Sequence, residues 1–438
     1  MTDASSITHA FSPTEVHVND GSPTGSSELC DTLAATAAAR GLEGMFAELT
    51  ASLATRKRWH SLFDARLMEA RAALGLPLAG DSRAIPAEKQ AALEAKSLEA
   101  CREVGWPLVD EGKVAAGWMY LRAAVEPEEM GRRMAALAER VDVAAPVTTD
   151  DQPATDDSPD AAQADETIQE IIHVALWEGA DPALGLKLLL SRNGTCNTIT
   201  AYEQAVSRLP AARQRPAADL LVAHLHREVL ASLVHDLHRR GIPVEPGPDA
   251  SLTGVLESAG GLKDDPAVHV DVSHLQSVLR IARVCTDHVT LRRAWELASY
   301  ACRLPKETVY AGEPPFENVG ESSRLFYGAQ LGIEVEPAIA FFRKAAVLAK
   351  VEQAGSLPGD VLVLLLWRLA RPAEALHAAL DRPRDDSGPS LLQATGMLPS
   401  LVEMAAASGD WGPLRKACKE HGDEITFAAT LAAEHADA

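Results

Sequence analysis

Aromatic residues make up only 5% of this chain of 438, and runs of β-branched residues, the usual material of strands, are scarce. Alanine and leucine dominate instead, and because they head the helix-propensity ranking the composition predicts helices rather than sheets. Basic residues are short as well, 41 Lys and Arg against 62 Asp and Glu, which leaves a net charge of −21. A nucleic-acid or anionic-membrane surface needs a basic face to displace counterions, so no nucleic-acid partner is expected. The six cysteines, Cys30, Cys101, Cys196, Cys285, Cys302 and Cys418, are scattered without CxxC spacing. That argues against a disulfide framework and for reduced thiols in a cytoplasmic protein. Long apolar runs are missing too. The most apolar stretch, VLVLLLW at residues 361–367, is far below the ~20 residues of a membrane span and predicts a buried helix. No basic segment followed by an apolar run opens the chain, so no secretory signal is expected.

Catalytic signatures are equally thin. There is no GxxxxGK[ST], no strand-linked GxGxxG, no GxSxG and no HExxH, so phosphate-cradle, hydrolase-elbow and metalloprotease chemistry lack their motifs. His226-Arg227-Glu228 matches the first half of a zinc deaminase pattern, but no PCxxC follows it. No metal and no cofactor are expected.

Length sets the organisation, since 438 residues exceed one ordinary core. Residues 1–30, rich in Ser, Thr, Gly and Pro without periodicity, predict a disordered arm. Residues 31–141 carry apolar positions at three- and four-residue spacing and predict a small, separate helical domain. Within it, residues 114–125 and 127–140 read as an antiparallel hairpin, with Pro127 at a first helical position and Glu128 and Glu129 in the first turn. Residues 142–166 hold eight acidic residues, three prolines and no Lys or Arg, which predicts an acidic disordered linker. Residues 167–319 predict a second helical domain, with Asp181 capping one helix, Ser273 and Gln276 forming a capping box, and Asp287 capping another.

That second domain is organised around a long helix predicted at 216–240, PAADLLVAHLHREVLASLVHDLHRR. On a wheel at about 100° per residue, His224, Glu228, His235 and His238 share one outer stripe, whereas His226 falls in the middle of a wide apolar arc. The stripe reads as a solvated or partner-facing surface. An imidazole inside an apolar face needs partners for its nitrogens, and the segment carrying His269, Asp271 and His274 is the expected supplier. Such a buried polar cluster is either a satisfied core or a pocket, and the sequence leaves both open.

The last third repeats itself. Residues 320–438 contain three copies of an apolar helix, a tight turn and a short amphipathic helix, with Ala338, Ala375 and Pro413 at equivalent points. Spacings near 37 residues built from helix pairs mark solenoids. LGIEVEPAIAFFRKA resembles the second helix of a tetratricopeptide repeat, with Ala338, Ile339, Phe342 and Ala345 at its small and large packing positions. RLARPAEALHAAL is similar at Ala375 and Leu376 but departs at Arg382, where the motif wants a small residue, and Gly409 with Trp411 gives a weaker third copy. The resemblance covers the C-terminal third and implies an all-α helical-hairpin array, a tetratricopeptide-like α-solenoid that binds protein partners and has no catalytic residues. On that reading Phe341, Phe342, Trp367 and Trp411 are candidates for the partner-binding surface. The expected function is therefore a non-enzymatic interaction scaffold or adaptor. The alternative is an enzyme or small-ligand binder with a pocket near His226 and the 269–274 segment.

Overall fold

The computed structural model describes residues 23–78, 85–144, 159–244, 251–260, 267–305, 308, 310–352, 355–382 and 389–436. Among these the secondary structure is helical throughout, without a strand. No described helix is long and apolar enough to cross a membrane. The chain divides into two compact units, Met1–Leu188 and Leu189–Ala438.

The first unit holds α1 (Pro23–Thr55), α2 (Trp59–Ala73), α3 (Ala87–Asp110), α4 (Val114–Leu121), α5 (Pro127–Ala144) and α6 (Pro159–Ile172). The arm expected at 1–30 already turns helical at Pro23, and its residues 1–22 lie outside the described residues. The 114–140 segment does form two helices, but the main partners of α4 are α3 and α6, while α5 packs on α6. Glycines explain the choice: a Cβ on Gly117 would stand 2.7 Å from the Gly105 carbonyl oxygen, so the α3 and α4 backbones meet where no side chain fits.

The acidic linker expected at 142–166 is corrected in its last eight residues, which belong to α6, while 145–158 lie outside the described residues. Pro159 opens that helix at a position where its missing N–H costs nothing. Asp165 and Glu166 stay exposed, whereas Thr167, Ile168, Ile171 and Ile172 are buried. Ala161 and Ala164, half-buried on the same side as Ile168 and Ile171, complete an apolar stripe at helical spacing that the acidic composition concealed. The helix then widens into a π turn, His173–Trp177, in which Glu178 N–H donates to His173 O at 3.2 Å.

Asp181 caps α7 (Pro182–Ala201) as expected, accepting from Leu184 N–H at 3.1 Å. The unit boundary falls inside α7, shortly before Gly194 breaks it at φ 74°. The expected division at 166/167 thus moves downstream.

The second unit continues with a π turn at Tyr202–Val206 and then α8 (Ala211–Arg239), α9 (Leu252–Ser258), α10 (Val272–Ile281) and α11 (His288–Ala301). It ends with α12 (Val319–Gln330), α13 (Val335–Glu352), α14 (Leu357–Arg368), α15 (Pro372–Leu380), α16 (Leu391–Ala394), α17 (Leu401–Ser408), α18 (Gly412–His421) and α19 (Glu424–Ala436). The long helix starts five residues before Pro216, and the amide of its first residue, Ala211, donates to Thr395 O at 2.8 Å. Gln214, buried near this end, ties it to the preceding π turn. It accepts from Tyr202 Oη and donates to the Ser207 and Leu209 carbonyls, which the helix end leaves unpaired.

Leu221, Val222, Leu225, Val229, Leu233 and Leu237 of α8 are all fully buried, and α9, α10 and α11 pack along it. Each such leucine contributes roughly 1.5–3 kcal/mol when removed from water, so α8 is the packing rod of this unit. From α11 onward helices pack on their chain neighbours, α11 on α12, α12 on α13, α13 on α14, α14 on α15 and α15 on α17.

Candidate functional site

His226 lies where the wheel puts it, buried on the inner face of α8. Its partner is not the 269–274 segment. Nε2 donates to Glu296 Oε2 of α11 at 2.8 Å, and the same oxygen accepts the Leu252 amide at 2.9 Å. Glu296 is itself buried, with Arg292 Nε 3.9 Å from its other oxygen. Leu252 is the first residue of α9, so the carboxylate sits at a helix N-terminus, where the dipole favours negative charge. The arrangement gives the buried imidazole a carboxylate acceptor at Nε2.

His269 belongs to a second pair. Its Nε2 donates to Asp236 Oδ2 at 3.1 Å, and its Nδ1 accepts from Tyr300 Oη at 3.0 Å, which in turn accepts the His269 amide at 2.8 Å. Asp236 also takes Arg239 at 3.0 Å and Arg240 at 2.6 Å. The hydrogen bond from His269, more than the arginines, holds its carboxyl below the usual range. His226 and Asp236 stand ten residues apart on α8, about 15 Å, so the two pairs are separate.

Asp271 and His274 join neither pair. Asp271 is the N-cap of α10, accepting from Ser273 N–H at 2.8 Å and Ser273 Oγ at 2.6 Å, and these bonds lower its pKa. The helix therefore starts at Val272, and the expected Ser273–Gln276 capping box gives way because Gln276 donates to Tyr310 O instead. The four-residue cluster expected from the sequence does not assemble. Glu296 and Tyr300 were missed because they arrive from another helix. Asp236 was within reach, since it falls near 120° on the same wheel, inside the arc assigned to the core.

The outer stripe is partly tied down. His224 Nε2 meets Thr195 Oγ1 at 3.0 Å, and its pKa is lowered, mainly by burial. His235 is exposed, and His238 reaches the Val244 carbonyl at 2.6 Å. Among the described residues no group of three or more His, Cys, Asp or Glu side chains is arranged to hold a metal ion.

The four aromatic candidates of the last third divide. Phe342 is fully buried and packs against Phe316 and Phe326 at 5.7 and 5.9 Å between centroids, and Trp411 is buried as well. Both are core residues, which corrects their assignment to a surface. Phe341 and Trp367 are half-buried.

The large apolar side chains that α13 exposes are aliphatic: Val347 (56% exposed), Leu348 and Val351 (75% exposed). Beside them runs a groove of about 520 Å³ between α13, α14 and α15, floored by Ala346, Leu362, Leu366 and Ala378. Two ion pairs stand along it, Arg343–Glu374 at 2.8 Å and Lys350–Asp381 at 2.5 Å. Arg382 also lines it, and reaches down to pair with Asp360. Asp360 is fully buried, and the Arg382 stem lies over Gly359, where a Cβ would come within 3.1 Å of it. The arginine that departs from the repeat pattern is thus accommodated by a glycine and neutralised by an aspartate.

Compared with family models, curated proteins and solved structures, the chain matches none.

Proposed function

We propose that this chain is a non-enzymatic, cytoplasmic helical-repeat scaffold whose last third is a degenerate tetratricopeptide-like array. Its partner is a protein segment that docks on α13–α15. The observation that carries the reading is the groove of about 520 Å³ with an aliphatic floor and the exposed Val347 and Val351 beside it. Exposed apolar patches rimmed by charge mark interaction surfaces on soluble proteins, and an amphipathic helix is the usual occupant of such a groove.

The repeat reading is supported by the burial of Ala338, Ile339, Phe342, Ala375 and Leu376 at the positions the motif reserves for packing, and by the neighbour-on-neighbour packing of α12 to α15. The scaffold reading is also favoured over a pocket at His226 by the hydrogen bond that gives the buried imidazole a protein partner in Glu296, which also accepts the Leu252 amide.

The test is affinity purification of the intact chain beside a Val347→Asp, Val351→Asp variant, whose exposed sites leave the core untouched. Proteins retained by the wild type are expected to be lost from the variant at unchanged melting temperature. An identical set of retained proteins would refute the proposal.

A further inference from the structure

Many arginines of the second unit are paired with acids: Arg240 with Asp236, Arg280 with Glu203, Arg324 with Glu334, Arg371 with Glu336, Arg382 with Asp360 and Arg415 with Glu434. Others have no such pair, among them the exposed Arg208 and Arg227 and the half-buried Arg293, and three more of these stand close together in the fold. Arg215 of α8, Arg283 of the 3-10 turn Ala282–Val284 and Arg368 of α14 are half-buried, and among the described residues no carboxylate lies within 4 Å of any of them. In a chain with 62 acidic residues this is not for want of acids.

The three are brought together by one carbonyl and one group of rings. Arg215 Nε donates to Val284 O at 3.3 Å, and Arg368 Nη2 reaches the same oxygen at 3.5 Å. Arg283, next to Val284 in the chain, lays its guanidinium on the Phe316 ring 3.6 Å from the centroid. Arg368 lies 6.0 Å over Phe326, which packs edge-on against Phe316.

A guanidinium has five N–H donors. Arg368 uses one more on Gln330 Oε1 at 3.1 Å, Arg215 uses its Nε alone, and Arg283 Nε is buried with no hydrogen-bond partner. Two acids stand near the group without contacting a guanidinium: Glu313 attracts Arg283, and Asp219, which with Arg215 and Arg368 acts on the Cys285 thiol, keeps its buried Oδ1 without a hydrogen-bond partner. Burial pulls both Arg283 and Arg368 down to about 10, and Arg280 and Arg215 add like-charge repulsion.

We infer that Arg215, Arg283 and Arg368 form a binding site for a phosphate-type oxyanion, held by guanidinium forks beside the Val284 carbonyl. Half-buried cations with no carboxylate in contact are unfavourable, and the group that satisfies them must bring negative charge and several acceptors at once. A phosphate matches the planar guanidinium fork in both respects, and arginine is the weakly hydrated cation suited to such a partly desolvated place. The site is independent of the α13–α15 groove.

Isothermal titration of the intact chain with inorganic phosphate, phenyl phosphate, sulfate and acetate, at matched ionic strength in chloride, tests this. Phosphate is expected to bind and acetate not to. Arg283→Met and Arg368→Met are each expected to weaken phosphate at least about ten-fold, the loss of one charged hydrogen-bonding partner. Arg343→Met, which removes a surface-paired arginine, should leave binding unchanged.

Phenyl phosphate binding more tightly than phosphate would identify an organic monoester as the occupant, and equal binding the free ion. Arg368→Lys, which keeps the charge and loses the fork, covers the case in which a methionine variant does not fold, and it too should bind weakly. Absence of a phosphate isotherm for the wild type, acetate binding as well as phosphate, or unchanged affinity in the arginine variants would each overturn the proposal.

Discussion

The Asp360–Arg382 pair gives the sharpest test of how the repeat region is held. Asp360 is completely enclosed at the start of α14, and among the described residues Arg382 and the Ser356 hydroxyl, at 3.4 Å, are the side chains that meet its charge. Arg382 keeps 16% of its side chain in solvent. Removing one partner of a buried ion pair costs about 3–5 kcal/mol, because the other is left desolvated and unpaired. The exposure difference makes the two halves unequal. After Arg382→Met the carboxylate has nowhere to go, and the loss belongs at the upper end, about 4–5 kcal/mol. After Asp360→Leu the arginine can swing outward, so about 1–3 kcal/mol is expected. The double variant, with an apolar pair of similar volume, should fall within about 1 kcal/mol of the wild type, as buried ion pairs replaced by apolar groups often do. Urea unfolding read by hydrogen exchange in α14 and α15 follows the second unit alone and yields the coupling energy of the cycle. A lone buried carboxylate also titrates upward, so the Arg382→Met deficit should shrink as pH falls from 7 to 5. Equal effects of the two single variants, or an additive double variant, would refute the reasoning.

Glu296→Ala leaves the His226 imidazole and the Leu252 amide without their acceptor, and an orphaned buried donor costs about 1–3 kcal/mol. A drop of about 2 kcal/mol or more in the second unit is expected, while Glu296→Gln, which keeps an acceptor, should lose less; equal losses would show that the shared oxygen is unimportant. Asp236 has a folded-state pKa below its ordinary 3.8, so its stabilisation is complete above that value and disappears as pH falls through the lowered one. Acid unfolding of Asp236→Asn should therefore lack that part of the pH dependence, and an unchanged acid limb would contradict the assignment. Gly117→Ala places a methyl 2.5 Å from Val109 Cγ2 and 2.7 Å from the Gly105 carbonyl oxygen, and overpacking of this kind costs about 1–3 kcal/mol. The first unit should show it in its melting temperature, and a neutral effect would mean that α3 and α4 can separate freely.

Local rules made much of this fold legible. Alanine and leucine spacing revealed the helices, and Asp181 and Asp287 capped where their position before an apolar run says they should. The candidate site was legible by half. That His226 is buried followed from its angle on the wheel, but its acceptor lies 70 residues away on α11, and no local pattern carries that information. Asp271 looked like a partner because it stands near two histidines in sequence, whereas the backbone amides of its own helix start claim it first. The acidic segment misled for a different reason: charge was counted, while the alanines that make α6 amphipathic hardly register on a hydropathy scale. Phe342 and Trp411 were misplaced because aromatic character alone does not say which face of a short helix is turned inward.

The two π turns bear on the length of the chain rather than its stability. At His173–Trp177 and Tyr202–Val206 the helix accommodates one residue more than its α-helical period, with bonds closing from Glu178 to His173 and from Ser207 to Tyr202. Each is the last turn of its helix, capped by Glu178 or Ser207 and followed by a short connection. The surplus residue therefore sits at a helix end, where it changes the direction in which the chain leaves and leaves the helical faces before it in place. A one-residue deletion in either turn would let the helix end close with an α-helical bond, and no downstream helical face would have to be re-registered.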